Sequence, residues 1–132
     1  MTSFTVIGVP APQGSKTAWG TEANKNTRPW RAAVAYEAQQ AHEGRPPYDG
    51  NVAVTVEFFF PFPKKDLTAA GVPKTKGPPW HATKPDADKL CRAILDSLTD
   101  AGVIRDDCRV VRLCAEKYRS HQPRAVVRVV EL

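Results

Sequence analysis

The sequence has no run of about twenty apolar residues, so no bilayer-spanning helix is expected. It also lacks the basic, apolar, small-residue start of a secretory signal, and the chain is expected to stay in the cytoplasm. Cysteine is scarce. Cys91, Cys108 and Cys114 are odd in number and carry no paired C-x-x-C spacing, which argues against a disulfide framework and against a zinc site. They read as small core residues. His42, His81 and His121 are scattered, with no H-E-x-x-H cluster, so zinc hydrolysis is not expected. No repeat or low-complexity segment interrupts the 132 residues. That length suits one domain, 1–132, with a core large enough to fold unaided.

What the chain does have is basic charge and two groups of acids. Nineteen Lys and Arg against fourteen Asp and Glu leave a net charge of +5 and a pI near 9.3, which suits an anionic polymer as partner. Placement says more than amount. From Pro61 to Pro85 the chain holds six prolines and the lysines Lys64, Lys65, Lys74, Lys76 and Lys84, against one acid, Asp66. This reads as a long, basic, structure-poor loop, and loops of that length are usually functional or disordered. Trp80 and His81 near its end either stack on a base or sugar or anchor the loop to the body.

The loop leads into an amphipathic helix. Leu90, Ile94 and Leu98 recur at four-residue steps and Ala87, Cys91 and Leu95 widen the stripe. Asp86 and Asp88 open it. In a regular helix, residues two apart point roughly 200° apart and could not share a ligand. With Asp86 at the N-cap, outside helical geometry, both side chains can turn to one site. Pro85 keeps Lys84 out of the helix, and the acids lie at the positive end of its dipole. For a lone D-x-D, ordinary capping would be the commoner explanation. The second acidic pair, Asp106-Asp107, follows a turn at Ala101-Gly102 and precedes an apolar run from Cys108 to Ala115, where strand alternation lets only one of the two reach the helix start. Asp88, Arg92 and Asp96 stand at four-residue steps and could form an ion-pair ladder along one ridge.

Lys-Pro-Asp-x-Asp at Lys84–Asp88, Ala-Ile-Leu-Asp-Ser-Leu at Ala93–Leu98, and Ala-Gly-Val-Ile-x-Asp-Asp followed by Val-Val, all between Lys84 and Val111, together resemble the RusA family of Holliday junction resolvases, common in phages and prophages. A looser similarity covers Gly8-Val9-Pro10 and Lys16. The resemblance implies an α/β fold, metal binding by Asp86, Asp88 and Asp107, and a catalytic or DNA-contacting role at Arg92, where the family has lysine. Arginine can hold a phosphate but cannot transfer protons near neutral pH. Lys89 stands where the family usually has asparagine, adding a cation beside the acids. Asp96 also belongs to the pattern and reads as a support to the ligands.

Carboxylates without His or Cys favour a hard cation such as Mg²⁺. Such an ion activates water and stabilises the leaving oxygen of a phosphodiester. Arg92 and Lys89 would then offset phosphate charge, while Lys16 and the loop lysines hold the DNA backbone without reading sequence. Paired cuts in a four-way junction need two sites, so a two-fold homodimer is expected. The rival from another class is a non-catalytic basic DNA-binding module whose acids only cap and turn. A D-x-D-x-T phosphatase is a weaker rival, because its motif should follow a hydrophobic strand.

Along the chain the expected order is strand, helix, strand, basic loop, helix, strand, strand. Phe4–Val9 reads as a strand, and Pro10–Asn26 as a loop. Thr27 is placed to cap a helix to about His42, with Trp30, Val34 and Ala41 on one face and Gly44 ending it. Asn51–Phe60 alternates, with Val52, Val54, Val56, Phe58 and Phe60 sharing a face. Arg124–Leu132 closes the chain as a valine-rich strand. The fold class is therefore a single α/β domain, a mixed sheet packed with two main helices.

Overall fold

In the computed structural model, which describes residues 1–14 and 24–132, four strands and two helices follow in the expected order. They are β1 (Thr2–Ile7), α1 (Thr27–His42), β2 (Val52–Phe60), α2 (Ala87–Asp100), β3 (Val110–Arg119) and β4 (Arg124–Glu131). The strands form one mixed sheet in the order β1-β4-β2-β3, with β2 and β3 parallel and the other pairs antiparallel. A parallel pair requires a crossover. Here the crossover holds the whole basic loop and α2.

Alternation decides which face of the sheet is covered. Val52, Val54, Val56, Phe58 and Phe60 of β2 are buried, as are Ala125, Val127 and Val129 of β4. Their neighbours Thr55 and Arg128 are exposed, so both helices lie on one face and the other is open. Against the covered face α1 contributes Trp30, Val34 and Ala38, and α2 contributes Leu90, Ile94 and Leu98. At the far end of α1, Thr2 Oγ1 is hydrogen-bonded to both His42 Nδ1 and the Tyr48 hydroxyl, at 2.9 Å each. These bonds satisfy polar groups that burial would otherwise penalise.

Several details depart from the sequence reading. The first strand begins at Thr2, because its pairing with β4 runs from Val129 to Arg124. Asn26, not Thr27, is the N-cap of α1, and the Thr27 hydroxyl instead donates to the Pro12 carbonyl at 2.6 Å. Ala41 is only half-buried, Ala38 and His42 taking the inner positions. Glu43 already adopts the left-handed cap, one residue before Gly44. Ala87 is exposed and does not join the buried stripe of α2. Cys91 is a core residue, but Cys108 and Cys114 are exposed, because a 3₁₀ turn at Asp107–Arg109 delays β3 to Val110 and β3 is an uncovered edge strand.

Phe58 is fully buried and sits at the centre of this layer. Phe58→Ala should destabilise the fold by about 3–5 kcal/mol, whereas Thr55→Ala on the open face should change it by less than about 1 kcal/mol. Urea unfolding of the two variants checks the contrast.

Candidate metal centre

The start of α2 is held to the edge strand by the chain just before it. Lys117 Nζ donates to the Thr83 and Pro85 carbonyls at 2.8 and 2.7 Å, and the His81 backbone N–H donates to the Lys117 carbonyl at 2.9 Å. The His81 ring stacks on Phe60 with centroids 4.3 Å apart and is hydrogen-bonded through Nε2 to the Lys84 carbonyl. Burial, then the Arg119 and Lys117 charges, pull the His81 pKa below its usual value despite that bond. The imidazole is thus kept neutral, as an anchor.

Asp86 occupies the N-cap position in extended geometry, and the Leu90 N–H closes the first helical bond onto its carbonyl at 3.1 Å. Its carboxylate makes no capping hydrogen bond. Asp86 and Asp88 are both exposed. Burial, then the Asp88 charge and Cys114 on β3, raise the Cys91 thiol pKa to about 11. Capping, the ordinary use of an acid here, is thus not what the Asp86 side chain does.

Asp107 sits elsewhere. Its Oδ1 accepts a 2.7 Å hydrogen bond from the Thr99 hydroxyl in the last turn of α2. Burial raises its pKa above the usual carboxylate value, opposed by the Thr99 bond and reinforced by contact with Asp96 and the charge of Asp106. Asp96 is in turn held by the Gln13 side-chain amide, which donates to its Oδ2. Asp88 and Thr99 are eleven positions apart, so they share one face of α2 within about 20° but stand roughly 16 Å apart along the axis. The structure therefore makes two acidic ends, Asp86 with Asp88 and Asp96 with Asp107. Asp107 does not reach the helix start within one chain, and among the described residues no group of three or more potential ligands is gathered.

Arg92 is exposed on the same face, between the two ends. No ion pair joins it to Asp88 or Asp96 among the described residues, so the expected ladder is not formed. Its guanidinium instead lies along Gly14. A Cβ there would stand 3.3 Å from Nη1, and φ of +124° already favours glycine. Gln13 and Gly14 follow the helix closely, the Gln13 N–H donating to the Lys89 carbonyl at 3.0 Å. This approach had no local signal in the sequence, because it joins residues more than seventy positions apart. Lys16 lies outside the described residues. Lys64, Lys65, Lys74, Lys76 and Lys84 are all exposed.

A family model described as "Endodeoxyribonuclease RusA" matches residues 6–130, nearly the whole chain. The chain belongs to the RusA endodeoxyribonuclease family. It is also 28% identical to an uncharacterized protein, YqaN of Bacillus subtilis (strain 168), over 137 residues, covering 98% of this chain and 95% of that protein. The RusA match spans both acidic ends, the basic loop and all of α2, and it makes endonucleolytic cleavage of DNA the activity of the family to which the chain belongs. A binding module without catalysis is set aside on that ground. Among the described residues, no helix is long and apolar enough to cross a membrane.

Because the folded-state pKa of Asp107 is raised above its unfolded value of about 3.9, the native state binds the extra proton between those two values. Its contribution to stability is then fully present below about pH 3.9 and is lost as pH rises through the folded-state pKa. In metal-free buffer, Asp107→Asn should therefore lose less stability than wild type between about pH 4 and pH 7. Urea midpoints at both pH values measure the difference, and parallel losses would contradict it.

Proposed function

We propose that this RusA-family protein resolves Holliday junctions and related branched DNA by Mg²⁺-dependent, paired phosphodiester hydrolysis. It acts as a homodimer of one RusA-like domain, 1–132, in the cytoplasm, in DNA recombination and repair of a phage or prophage. The observation that carries the reading is the pair of acidic ends on one exposed face of α2, in a chain whose family cleaves DNA. The donor chemistry fits a hard cation. Aspartate carboxylates are the ligands such ions take, Asp86 is not used as a cap, and the crowding of Asp107 by Asp96 is what a bound cation would relieve.

The placement of the acids supports the homodimer. A two-fold axis through the middle of α2 sets two copies of the helix antiparallel. That brings Asp86 and Asp88 of one protomer level with Asp107 of the partner subunit, and generates two equivalent sites at once. The flanking surface suits burial against a copy of itself. Leu113, on the helix side of β3 by its register with Val54, is 45% exposed, and Val111 is 58% exposed. Metal ligation then falls to Asp86, Asp88 and Asp107, with Asp96 positioning Asp107. The cation, when bound, supplies an activated water and stabilises charge on the leaving oxygen. Arg92, at the centre of the same face, holds the scissile phosphate bidentately and remains charged throughout. Lys89 adds a second cation, while Lys16, Lys64, Lys65, Lys74, Lys76 and Lys84 grip the backbone of the DNA arms.

Asp86→Asn, Asp88→Asn or Asp107→Asn should each abolish incision of a four-way junction while leaving junction binding intact, and Asp106→Asn should cost much less. Mixing inactive Asp88→Asn chains with inactive Asp107→Asn chains should restore nicking, because half of the sites in the heterodimer regain a full acid set. A mixture that stays dead while wild type with Asp88→Asn nicks would place all three ligands in one chain. Neutralising Lys64, Lys65, Lys74 and Lys76 together should weaken binding to every DNA sequence. For every DNA phosphate these lysines cease to neutralise, the slope of log affinity against log salt should fall by about one. An unchanged slope would remove the loop from the interface.

A further inference from the structure

A column of four side chains crosses the open face of the sheet along a single register row. The Arg124 guanidinium lies 3.8 Å over the Phe59 ring. Phe59 stacks on Tyr118 at 5.3 Å, and Tyr118 stacks on Trp80 at 5.0 Å, the last two planes 18° apart. Phe59 is paired with both Arg124 and Tyr118 in the sheet, and Trp80 forms an isolated bridge to Tyr118. Among the described residues Trp80 is therefore the free end of the stack. Its backbone is fixed on both sides, by the His81 N–H on the Lys117 carbonyl and the Arg119 N–H on the Pro79 carbonyl. Yet the residue remains 50% exposed.

Beside it opens a cleft of about 370 Å³, lined by Trp80 and not by Tyr118. That volume lies within the roughly 300–1,000 Å³ of small-ligand pockets. Phe62 and Pro79 give it apolar walls, and the Arg119–Asp66 ion pair, at 2.7 Å and with side chains only 19% and 33% exposed, gives it a polar part. The exposed Lys64 and Lys65 directly precede Asp66 in sequence, and Lys74 and Lys76 flank the lining residue Thr75.

We infer that this cleft receives one unpaired base of a DNA strand, stacked on the free face of Trp80 with its phosphates on the lysine rim. The inference rests on branched DNA being the substrate, and gives the basic loop a task beyond holding duplex arms. Base–aromatic stacking needs an open ring face held in place, and a cationic track beside it for the backbone. Trp80 offers the first, and the exposed lysines next in sequence to the lining residues Asp66 and Thr75 would supply the second. The ion pair supplies a donor and an acceptor for the base edge, a carboxylate accepting from an exocyclic amine and a guanidinium donating to a carbonyl oxygen. A paired duplex cannot offer a base to such a cleft without unpairing it. The site therefore favours DNA whose strands are already parted.

The test compares wild type, Trp80→Ala and Trp80→Phe as full chains, binding a short oligodeoxycytidylate that carries one 2-aminopurine and, separately, a blunt duplex. Wild type should quench the 2-aminopurine. Trp80→Ala should lose that quenching and about tenfold in single-strand affinity, with a smaller loss on duplex, so that the ratio of the two affinities falls. Trp80→Phe keeps the column and should show weaker quenching with intermediate affinity, which carries the test if the alanine variant does not fold. An unchanged ratio with undiminished quenching in the variants, while junction incision by wild type stands, overturns the base site alone. Failure of wild type to bind either DNA overturns both the base site and the functional reading beneath it.

Discussion

The parallel pairing of β2 with β3 is the constraint on which the rest of the molecule depends. Two parallel neighbours cannot be joined by a hairpin, so the chain must cross back over the sheet between Phe60 and Val110. That crossover is where the basic loop and α2 are found. It also fixes α2 antiparallel to β3: Lys117 reaches the residues before the helix, while Asp107, just ahead of β3, meets Thr99 near its end. Acids close to the start of the helix and acids close to the start of the strand are thereby held at opposite ends of one face.

This separation puts acids at both ends of one face of α2, and among the described residues of one chain they are not gathered into one site. Asp88 and the Asp107 anchor at Thr99 share a face because eleven residues are close to a whole number of turns, with Arg92 between them. An antiparallel copy of the helix pairs each acidic end with its opposite. One small interface would thus complete two sites, and it would cover the edge strand that leaves Val111 and Leu113 in solvent. Exposed edges invite pairing and are usually protected.

Local periodicity made much of this fold legible in the sequence. The alternation of β2, the apolar stripe of α2 and the valines of β4 each describe a surface that packs on one side, and each predicts boundaries close to those observed. Asp86 at the N-cap was legible for the same reason, since the proline before it and the stripe after it are local signals. Cys108, Cys114 and Asp107 were not. Cys114 reads as core until β3 proves to be an edge, and Cys108 until a 3₁₀ turn displaces the start of the strand. Asp107 belongs with Asp96 because of strand order and crossover direction, and no spacing along the chain encodes either. Gln13 was invisible on the same ground, as its partners are Asp96 and Lys89 across the molecule.

The basic loop shows how far composition can mislead about order. Prolines and lysines between β2 and α2 read as structure-poor, yet Asp66 is paired with Arg119, a 3₁₀ turn runs from Lys64 to Asp66, and Trp80 and His81 are both stacked on strand residues. The anchors Asp66, Trp80 and His81 are not among the lysines, and each contacts a residue of the sheet. The lysines are left outside with no acid among the described residues to neutralise them. A surface that concentrates cations on a fixed frame raises the local density of an anionic strand at low ordering cost. The acids on α2 would repel the same strand if they stood alone. In the proposed reading a divalent cation held by them would remove that repulsion where the backbone comes close, so the positive loop and the negative helix face would act on DNA in the same direction.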